Sequence, residues 1–91
     1  MTATRHWTVD IVIDERDHER TTRAEARLKA NSGEDVFGHG TAYRHPDDAD
    51  VPRIGDELAA ARALSELSHR LVLAAAEDIE QSTHRRAHLR P

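Results

Sequence analysis

The segment Thr22–Ala30 reads TRAEARLKA, and it can be interpreted either as a strand or as a helix. Its composition favours a helix, because Ala, Glu, Arg, Leu and Lys have high helix propensity and Thr22 with Glu25 has the spacing of a capping box. Its pattern favours a strand, because small or apolar residues alternate strictly with charged ones, whereas a helix would distribute the charges around its circumference. Since the alternation is uninterrupted, we predict a strand.

Two further strands are predicted on either side of this segment. His6–Asp14, HWTVDIVID, alternates in the same way and is joined to it by the charged stretch Glu15–Thr21. After the turn residues Asn31–Asp35, the segment Val36–Arg44 reads VFGHGTAYR and has two glycines on one face. Glycine inside a strand indicates that another backbone approaches closely, so we expect a helix to lie across this face.

One long amphipathic helix is predicted after the proline-containing connection His45–Arg53. From Ile54 onward, apolar residues recur every three or four positions over roughly 25 residues, and Asp56 is the expected N-cap. Such a helix is about 37 Å long, more than strands of this length can cover. We therefore expect the surplus apolar residues to form either a bend or a dimer contact. They are Leu71, Val72, Leu73 and Ala76.

The predicted order is β-β-β-α, an α+β fold in which one long C-terminal helix packs on a three-stranded antiparallel sheet. Residues 1–91 form one domain, with 1–5 and 82–91 expected as flexible tails. Val, Ile, Leu and Phe account for only 17 of 91 residues, so the core should be small. Because the chain has no cysteine to form a disulfide, we expect self-association to supply the missing burial.

Composition and motifs argue against several classes of function. The net charge of −4 disfavours sequence-independent binding of nucleic acid by the molecule as a whole. The longest apolar run has six residues, and the first ten residues lack the apolar core of a signal peptide. Together with the lack of cysteine, this predicts a soluble, cytoplasmic protein. The sequence has no nucleophile, phosphate-binding or dinucleotide motif, so we expect neither an enzyme nor a cofactor.

A basic face on the predicted second strand is the most attractive functional surface. Three cations share one side of this strand at a spacing that suits successive phosphates of RNA. One more lies on the third strand, and two lie in the C-terminal tail. The candidate RNA-binding residues are Arg23, Arg27, Lys29, Arg44, Arg85 and Arg86. Glu25 interrupts the face, and the alternative is a solvated face with ion pairs to neighbouring carboxylates.

Other positions have weaker functional interpretations. Trp7 is expected to anchor the core face of the sheet. His39, between two glycines, is expected to be a partly exposed strand residue, and the alternatives are a pH-sensitive group or a base-stacking ring. Glu80, His84 and His88 would align three metal ligands on a continuous helix, but in a chain without cysteine we expect no metal site.

Three stretches resemble a family of small actinobacterial proteins of unknown function. They are HWTVDIVIDE at 6–15, HPDDADVPRIGDELAAARALSEL at 45–67 and AAAEDIEQSTH at 74–84. The resemblance extends over about residues 6–89 and implies a fold like that of double-stranded-RNA-binding domains, usually as a homodimer. One member of that family is induced in dormancy and hypoxia and is similar in shape to ribosome hibernation-promoting factors.

The sequence supports two hypotheses about function. The first is a non-catalytic, dimeric stress or dormancy protein that binds the ribosome or structured RNA and acts by occupying its binding site. The second is a homodimeric protein interaction module without nucleic-acid binding, which the acidic net charge favours. The sequence indicates neither a small-molecule substrate nor a membrane partner.

Overall fold

The chain forms three strands followed by one long helix, as predicted. The computed structural model describes residues 2–30, 33–47, 49, 51–84, 87 and 89. The elements are β1 at Thr8–Arg16, β2 at Thr21–Lys29, β3 at Val36–Tyr43 and α1 at Pro52–Thr83. A 3₁₀ turn, Asp17–Glu19, connects β1 to β2. The predicted α+β fold class is confirmed.

The three strands form one antiparallel sheet with β2 in the centre. In the observed register, Ile11 of β1 lies opposite Ala26 of β2, and Ala26 lies opposite Gly38 of β3. Directly opposite residues project from the same face of a sheet. The apolar residues of β1 and β2 and the glycines of β3 therefore share one face, which is the face toward α1.

The central strand confirms that the alternating pattern outweighs helix propensity. Ala24, Ala26 and Leu28 are at most 4% exposed, whereas the charged residues between them are exposed. A central strand covered on one side buries every second residue, which is the arrangement that a period of two encodes. As a helix, the same segment would have to bury charged residues.

The helix lies directly on β3 because Gly38 and Gly40 leave room for its backbone. A Cβ on either glycine would collide with backbone atoms of α1, including those of Ala63. Ala59 and Ala63 have no exposed surface, so the contact is made by glycine against alanine. The close approach predicted from the two glycines is confirmed.

The helix begins earlier and is longer than predicted. It begins at Pro52, with Val51 as N-cap, so the prediction of Asp56 as the N-cap is wrong. Proline suits the first helical position, because its φ is already helical and its nitrogen needs no acceptor there. The helix continues without interruption for 32 residues to Thr83, so the alternative of a bend is wrong. This length is about 48 Å, against about 26 Å for β3.

The buried core is small and consists mostly of alanine. Its members lie between α1 and the β2–β3 part of the sheet. They are Ala24, Ala26, Leu28, Ala42, Ala59, Ala63 and Leu67. Every residue of β1 is exposed, and Trp7 just before it is 55% exposed, so the prediction that Trp7 anchors the core is wrong. One helix covers two strands and leaves the third uncovered.

Candidate functional site

An apolar row on β1 faces the helix side of the sheet without being covered by the helix. Val9, Ile11 and Ile13 are 39%, 38% and 41% exposed. Their direct partners in β2 are Leu28, Ala26 and Ala24, which are buried. The apolar face of the sheet therefore continues from β2 onto β1, but α1 covers this face on β2 and leaves it open on β1.

The outer edge of β3 is protected by side chains of α1. The backbone N–H of His39 donates to Glu66 Oε1 at 3.0 Å, and Arg62 Nη1 donates to the backbone oxygen of Thr41 at 2.7 Å. Exposed strand edges are templates for pairing with another chain, and such contacts block them. The outer edge of β1 lies on the other side of the sheet, away from these helix residues.

Leu64 extends the apolar row onto the helix. Successive helical residues are about 100° apart, and Ala63 faces the sheet while Arg62 and Glu66 lie toward the edge of β3. Leu64 therefore lies on the opposite flank of α1, toward β1, and it is 41% exposed. We refer to Val9, Ile11, Ile13 and Leu64 as the apolar surface.

Two of the predicted RNA-binding cations have carboxylate partners. Arg27 Nε donates to Asp35 Oδ2 at 2.7 Å, and the Arg27 guanidinium lies 5.7 Å from the centre of the Phe37 ring. Lys29 Nζ lies 3.3 Å from Asp10 Oδ2 on β1. These pairs match the alternative interpretation of a solvated face with ion pairs, and they lower the charge available for phosphate.

Arg23 differs from its neighbours on the same face. Among the residues that the structure describes, Arg23 makes no ion pair. It lies opposite Thr41 of β3, and Tyr43, two residues farther along the same face, is 77% exposed. Within the described part of the chain, Arg23 is therefore the cation of this strand face that has no carboxylate partner, and it lies near an exposed ring.

Of the other predicted cations, Arg44 is within the described residues. The backbone N–H of Arg44 donates to the backbone oxygen of Arg20 at 2.9 Å, which places Arg44 at the end of the sheet beside the β1–β2 connection. Arg44 lines a cavity there. Arg85 and Arg86 lie outside the described residues.

His39 is part of a charged cluster on the β3 side of the molecule. Its Nε2 lies 3.0 Å from Glu25 Oε2 and its Nδ1 lies 3.7 Å from Glu66 Oε1. The hydrogen bond from the His39 backbone N–H lowers the pKa of Glu66, against a smaller opposing effect of desolvation and with further lowering by the charge of Arg70. The ring is 60% exposed, which agrees with the predicted partly exposed strand histidine.

Comparison with known proteins identifies the family. A family model described as Rv2632c-like matches residues 5–88 of this chain. The chain belongs to the Rv2632c-like family. It is 53% identical over 85 residues to the uncharacterized protein Mb1767 of Mycobacterium bovis, covering 93% of this chain and 87% of that protein.

Rv2632c itself is a relative with a known structure. This uncharacterized protein of Mycobacterium tuberculosis is 47% identical over 76 residues, which cover 84% of this chain and 78% of that protein. The crystal structure of Rv2632c matches the fold with a TM-score of 0.81 at 43% identity, covering 92% of this chain and 96% of that chain. The resemblance to a small actinobacterial family of unknown function is confirmed.

In this Rv2632c-like chain, the residues predicted as a dimer contact differ in exposure. Leu71 packs against the buried core, and Val72 and Ala76 are half-buried. Leu73 is 51% exposed. The β1 row was missed as a surface because the alternation of a strand shows which face is apolar but not whether a helix covers it. The sequence does contain one signal for the uncovered row, which is the width of the predicted sheet. A single helix about 10 Å across is narrower than a sheet of three strands spaced about 4.8 Å apart.

Neither a metal site nor a membrane span is found in the described part of this Rv2632c-like chain. Across residues 2–30, 33–47, 49, 51–84, 87 and 89, no group of three His, Cys, Asp or Glu side chains could hold a metal ion. Of the weak metal candidates, Glu80 and His84 are described and His88 lies outside those ranges. Within the same ranges, no helix combines the length and apolarity that a membrane span requires.

Proposed function

We propose that the protein is a non-catalytic, cytoplasmic interaction module that pairs with a second copy through the apolar surface. The observation that carries this proposal is the exposure of Val9, Ile11 and Ile13 beside buried partners in β2. Contiguous apolar residues left open on one face of a small domain mark a site of association. Burial of the row by another molecule completes the covering that α1 provides for β2 and β3.

The size of the core favours a second copy as the partner. The core consists of five alanines and two leucines, and no large side chain among the described residues is fully buried. Alanine removes little apolar area from water, so the isolated protomer has little hydrophobic stabilisation for its length. A second copy is present whenever the protein is made, so it supplies this burial at all times. A dimer with two-fold symmetry also needs only one self-complementary patch on each copy.

Lysine substitutions on the two faces of β1 test the proposal. Ile11→Lys places a charge on the helix side, whereas Val12→Lys places it on the outer face, where Val12 is already 66% exposed. In sedimentation equilibrium we expect the wild type and Val12→Lys to be dimers at micromolar concentration and Ile11→Lys to be a monomer. A monomeric wild type at millimolar concentration, or equal behaviour of the two variants, would overturn the proposal.

A second candidate function is supported by Arg23 and Tyr43. In this proposal the protein is a stress or dormancy factor that binds the ribosome or structured RNA, with Arg23 on a phosphate and the Tyr43 ring stacked on an unpaired base. It would act by occupancy, with no bond made or broken. The ion pairs of Arg27 and Lys29 and the net charge of −4 place it second.

Co-sedimentation with ribosomes at two salt concentrations tests this second candidate. Binding through phosphates must weaken as salt rises. We expect Arg23→Gln and Tyr43→Ala to reduce pelleting at low salt, while Arg53→Gln, the same change of charge at an exposed position of α1, leaves it unchanged. Pelleting that is absent at low salt, indifferent to salt, or reduced equally by Arg53→Gln would contradict RNA binding by this face.

A further inference from the structure

A cavity of about 350 Å³ lies where β1 ends and α1 begins. Most of its apolar wall comes from the β3–α1 connection and the first turns of α1, with Val51, Ile54 and Leu58 among the lining residues. Among the described residues, no buried side-chain nitrogen or oxygen lacks a hydrogen-bond partner, so no unpaired polar atom requires a polar occupant. An engineered cavity of about 150 Å³ holds benzene, so this cavity is large enough for one aromatic side chain.

The cavity lies at one end of the exposed row on β1. Glu15 lines the cavity and follows Ile13 by two residues on the same strand. Because alternate residues of a strand share a face, Glu15 lies on the same side as the row. Its direct partner in β2 is Thr22, which is buried beside Gly55 of α1. The cavity therefore continues the apolar surface beyond Ile13.

An exposed aromatic ring lies at the other end of the same row. Trp7 precedes β1 by one residue and takes the next alternate position before Val9. It is the only tryptophan of the chain, and it is 55% exposed. Trp7 and Glu15 are each four residues from Ile11, which is about 13 Å along an extended strand. The row therefore has an exposed ring and a cavity at equal distances from its centre.

A two-fold axis at Ile11, perpendicular to β1, brings the ring of one copy to the cavity of the other. Such an axis reverses the direction of the strand, so Trp7 of each copy comes to the level of Glu15 of its partner. An axis parallel to the strand would instead place ring beside ring and cavity beside cavity. A two-fold contact requires a self-complementary patch, and the antiparallel arrangement of the two β1 strands supplies one.

The size of a stable interface favours contact at both ends of the row. A specific interface buries about 800 Å² on each partner, which corresponds to a patch roughly 30 Å across. The distance from Val9 to Ile13 is only about 13 Å, whereas the distance from Trp7 to Glu15 is about 26 Å. Inclusion of the ring and the cavity thus doubles the length of the row that is buried.

We propose that Trp7 of each copy fills the cavity of the other copy. This inference rests on the proposed pairing through the apolar surface and specifies the contact that sets its geometry. The indole ring lies against Val51, Ile54 and Leu58 of the partner. Its N–H donates to the carboxylate of Glu15, which accepts more than one hydrogen bond.

The cations that line the cavity also suit an aromatic occupant. Among side chains, tryptophan has the ring that attracts cations most strongly. An arginine stacks on a ring even when it has a carboxylate partner, since Arg27 lies over Phe37 while it donates to Asp35. The arginines that line the cavity are Arg16, Arg20 and Arg44.

Fluorescence tests the inference, because all indole emission of the chain comes from Trp7. We expect the wild-type dimer to emit at shorter wavelength than the monomeric variant Ile11→Lys and to be quenched less by acrylamide. Sedimentation equilibrium on the same samples measures pairing separately. A dimeric wild type whose Trp7 is as open to acrylamide as in Ile11→Lys overturns this inference and leaves the proposed pairing intact. A monomeric wild type overturns both.

A mixture of two variants shows whether the ring enters the cavity of the other chain. Ile54→Lys alters the cavity and keeps Trp7, whereas Trp7→Ala keeps the cavity and has no tryptophan. The Ile54→Lys chain alone should emit like an exposed indole, and added Trp7→Ala should move this emission to shorter wavelength. The double variant Trp7→Ala/Ile54→Lys, added instead, should have no effect. No shift with Trp7→Ala, or an equal shift with the double variant, overturns the inference.

The same contact should contribute strongly to the affinity of the dimer. Trp7→Ala and Ile54→Lys should each raise the dimer Kd about hundredfold, because tryptophan anchors are typical hot spots and each dimer has two of them. Leu73→Lys is the matched control, since Leu73 is 51% exposed against 53% for Ile54 but does not line this cavity. It should leave the Kd unchanged. An unchanged Kd in Trp7→Ala, or equal losses in Ile54→Lys and Leu73→Lys, overturns the inference.

Discussion

Gly38 lies directly beneath the backbone of Leu67, so close that a Cβ on the glycine would be 2.9 Å from the Leu67 Cα and closer still to the peptide before it. Because backbone meets backbone, neither side can move away by changing a rotamer. This contact sets the distance between α1 and the sheet. It also determines which two strands the helix covers, and therefore leaves β1 open.

Replacement of Gly38 by alanine should be strongly destabilising. The added methyl group would have to separate α1 from β3, and overpacking of this kind costs about 3 kcal/mol where the surroundings cannot relax. Urea denaturation followed by circular dichroism measures the loss in the free energy of unfolding. His39→Ala is the control, since it changes the next residue on the exposed face of the same strand and should cost much less. Equal stability of Gly38→Ala and the wild type would refute the close contact.

Two leucines on α1 should differ sharply in their contribution to stability. Leu67 is 3% exposed and packs in the core, whereas Leu73 is 51% exposed. Leu67→Ala should lower the free energy of unfolding by about 2–4 kcal/mol through lost burial and a residual cavity. Leu73→Ala should change it by less than about 0.5 kcal/mol. Equal losses would mean that Leu73 is covered in solution, as the sequence-based prediction of a dimer contact requires.

The stabilising contribution of Glu66 should depend on pH in the acidic range. Its pKa is lowered in the folded protein, first by the hydrogen bond from the His39 backbone N–H. A lowered folded-state pKa means that the contribution is present above the unfolded-state value and is lost as the pH falls through the folded-state value. The stability difference between wild type and Glu66→Gln should therefore shrink as the solution is acidified.

An NMR titration of the Glu66 carboxyl tests the cause of this shift. The midpoint should lie below that of a glutamate in an unstructured peptide. Arg70→Gln should raise it only in part, because the backbone hydrogen bond from His39 remains. A midpoint at or above the peptide value, or complete loss of the shift in Arg70→Gln, would be inconsistent with the edge contact.

Much of the fold could be predicted because its determinants are local. The alternation in Thr22–Ala30 predicts the central strand against its helix propensity, and Gly38 with Gly40 predicts a helix lying close above. The start of the helix was predicted wrongly because Asp56 is a good capping residue by type. Pro52 begins the helix one turn earlier, where no side chain caps it.

The candidate sites could be predicted only in part because they depend on distances between elements. The strand register and the position of Asp35 decide which cations of β2 have an acidic partner. These cations are Arg23, Arg27 and Lys29. The exposure of the β1 row depends on where the helix lies, not on the apolar character of β1 itself. The cavity beside Thr22 is lined by residues from the segments 15–22, 42–44 and 49–58, and the pattern of none of these segments indicates it.

Isotope-filtered NOE spectroscopy on a mixture of labelled and unlabelled chains tests most directly whether a second copy covers β1. The account predicts intermolecular NOEs to the methyl groups of Val9, Ile11 and Ile13, and none to those of Val12 on the opposite face. A spectrum without intermolecular NOEs at millimolar concentration, or with NOEs at Val12 alone, would contradict it.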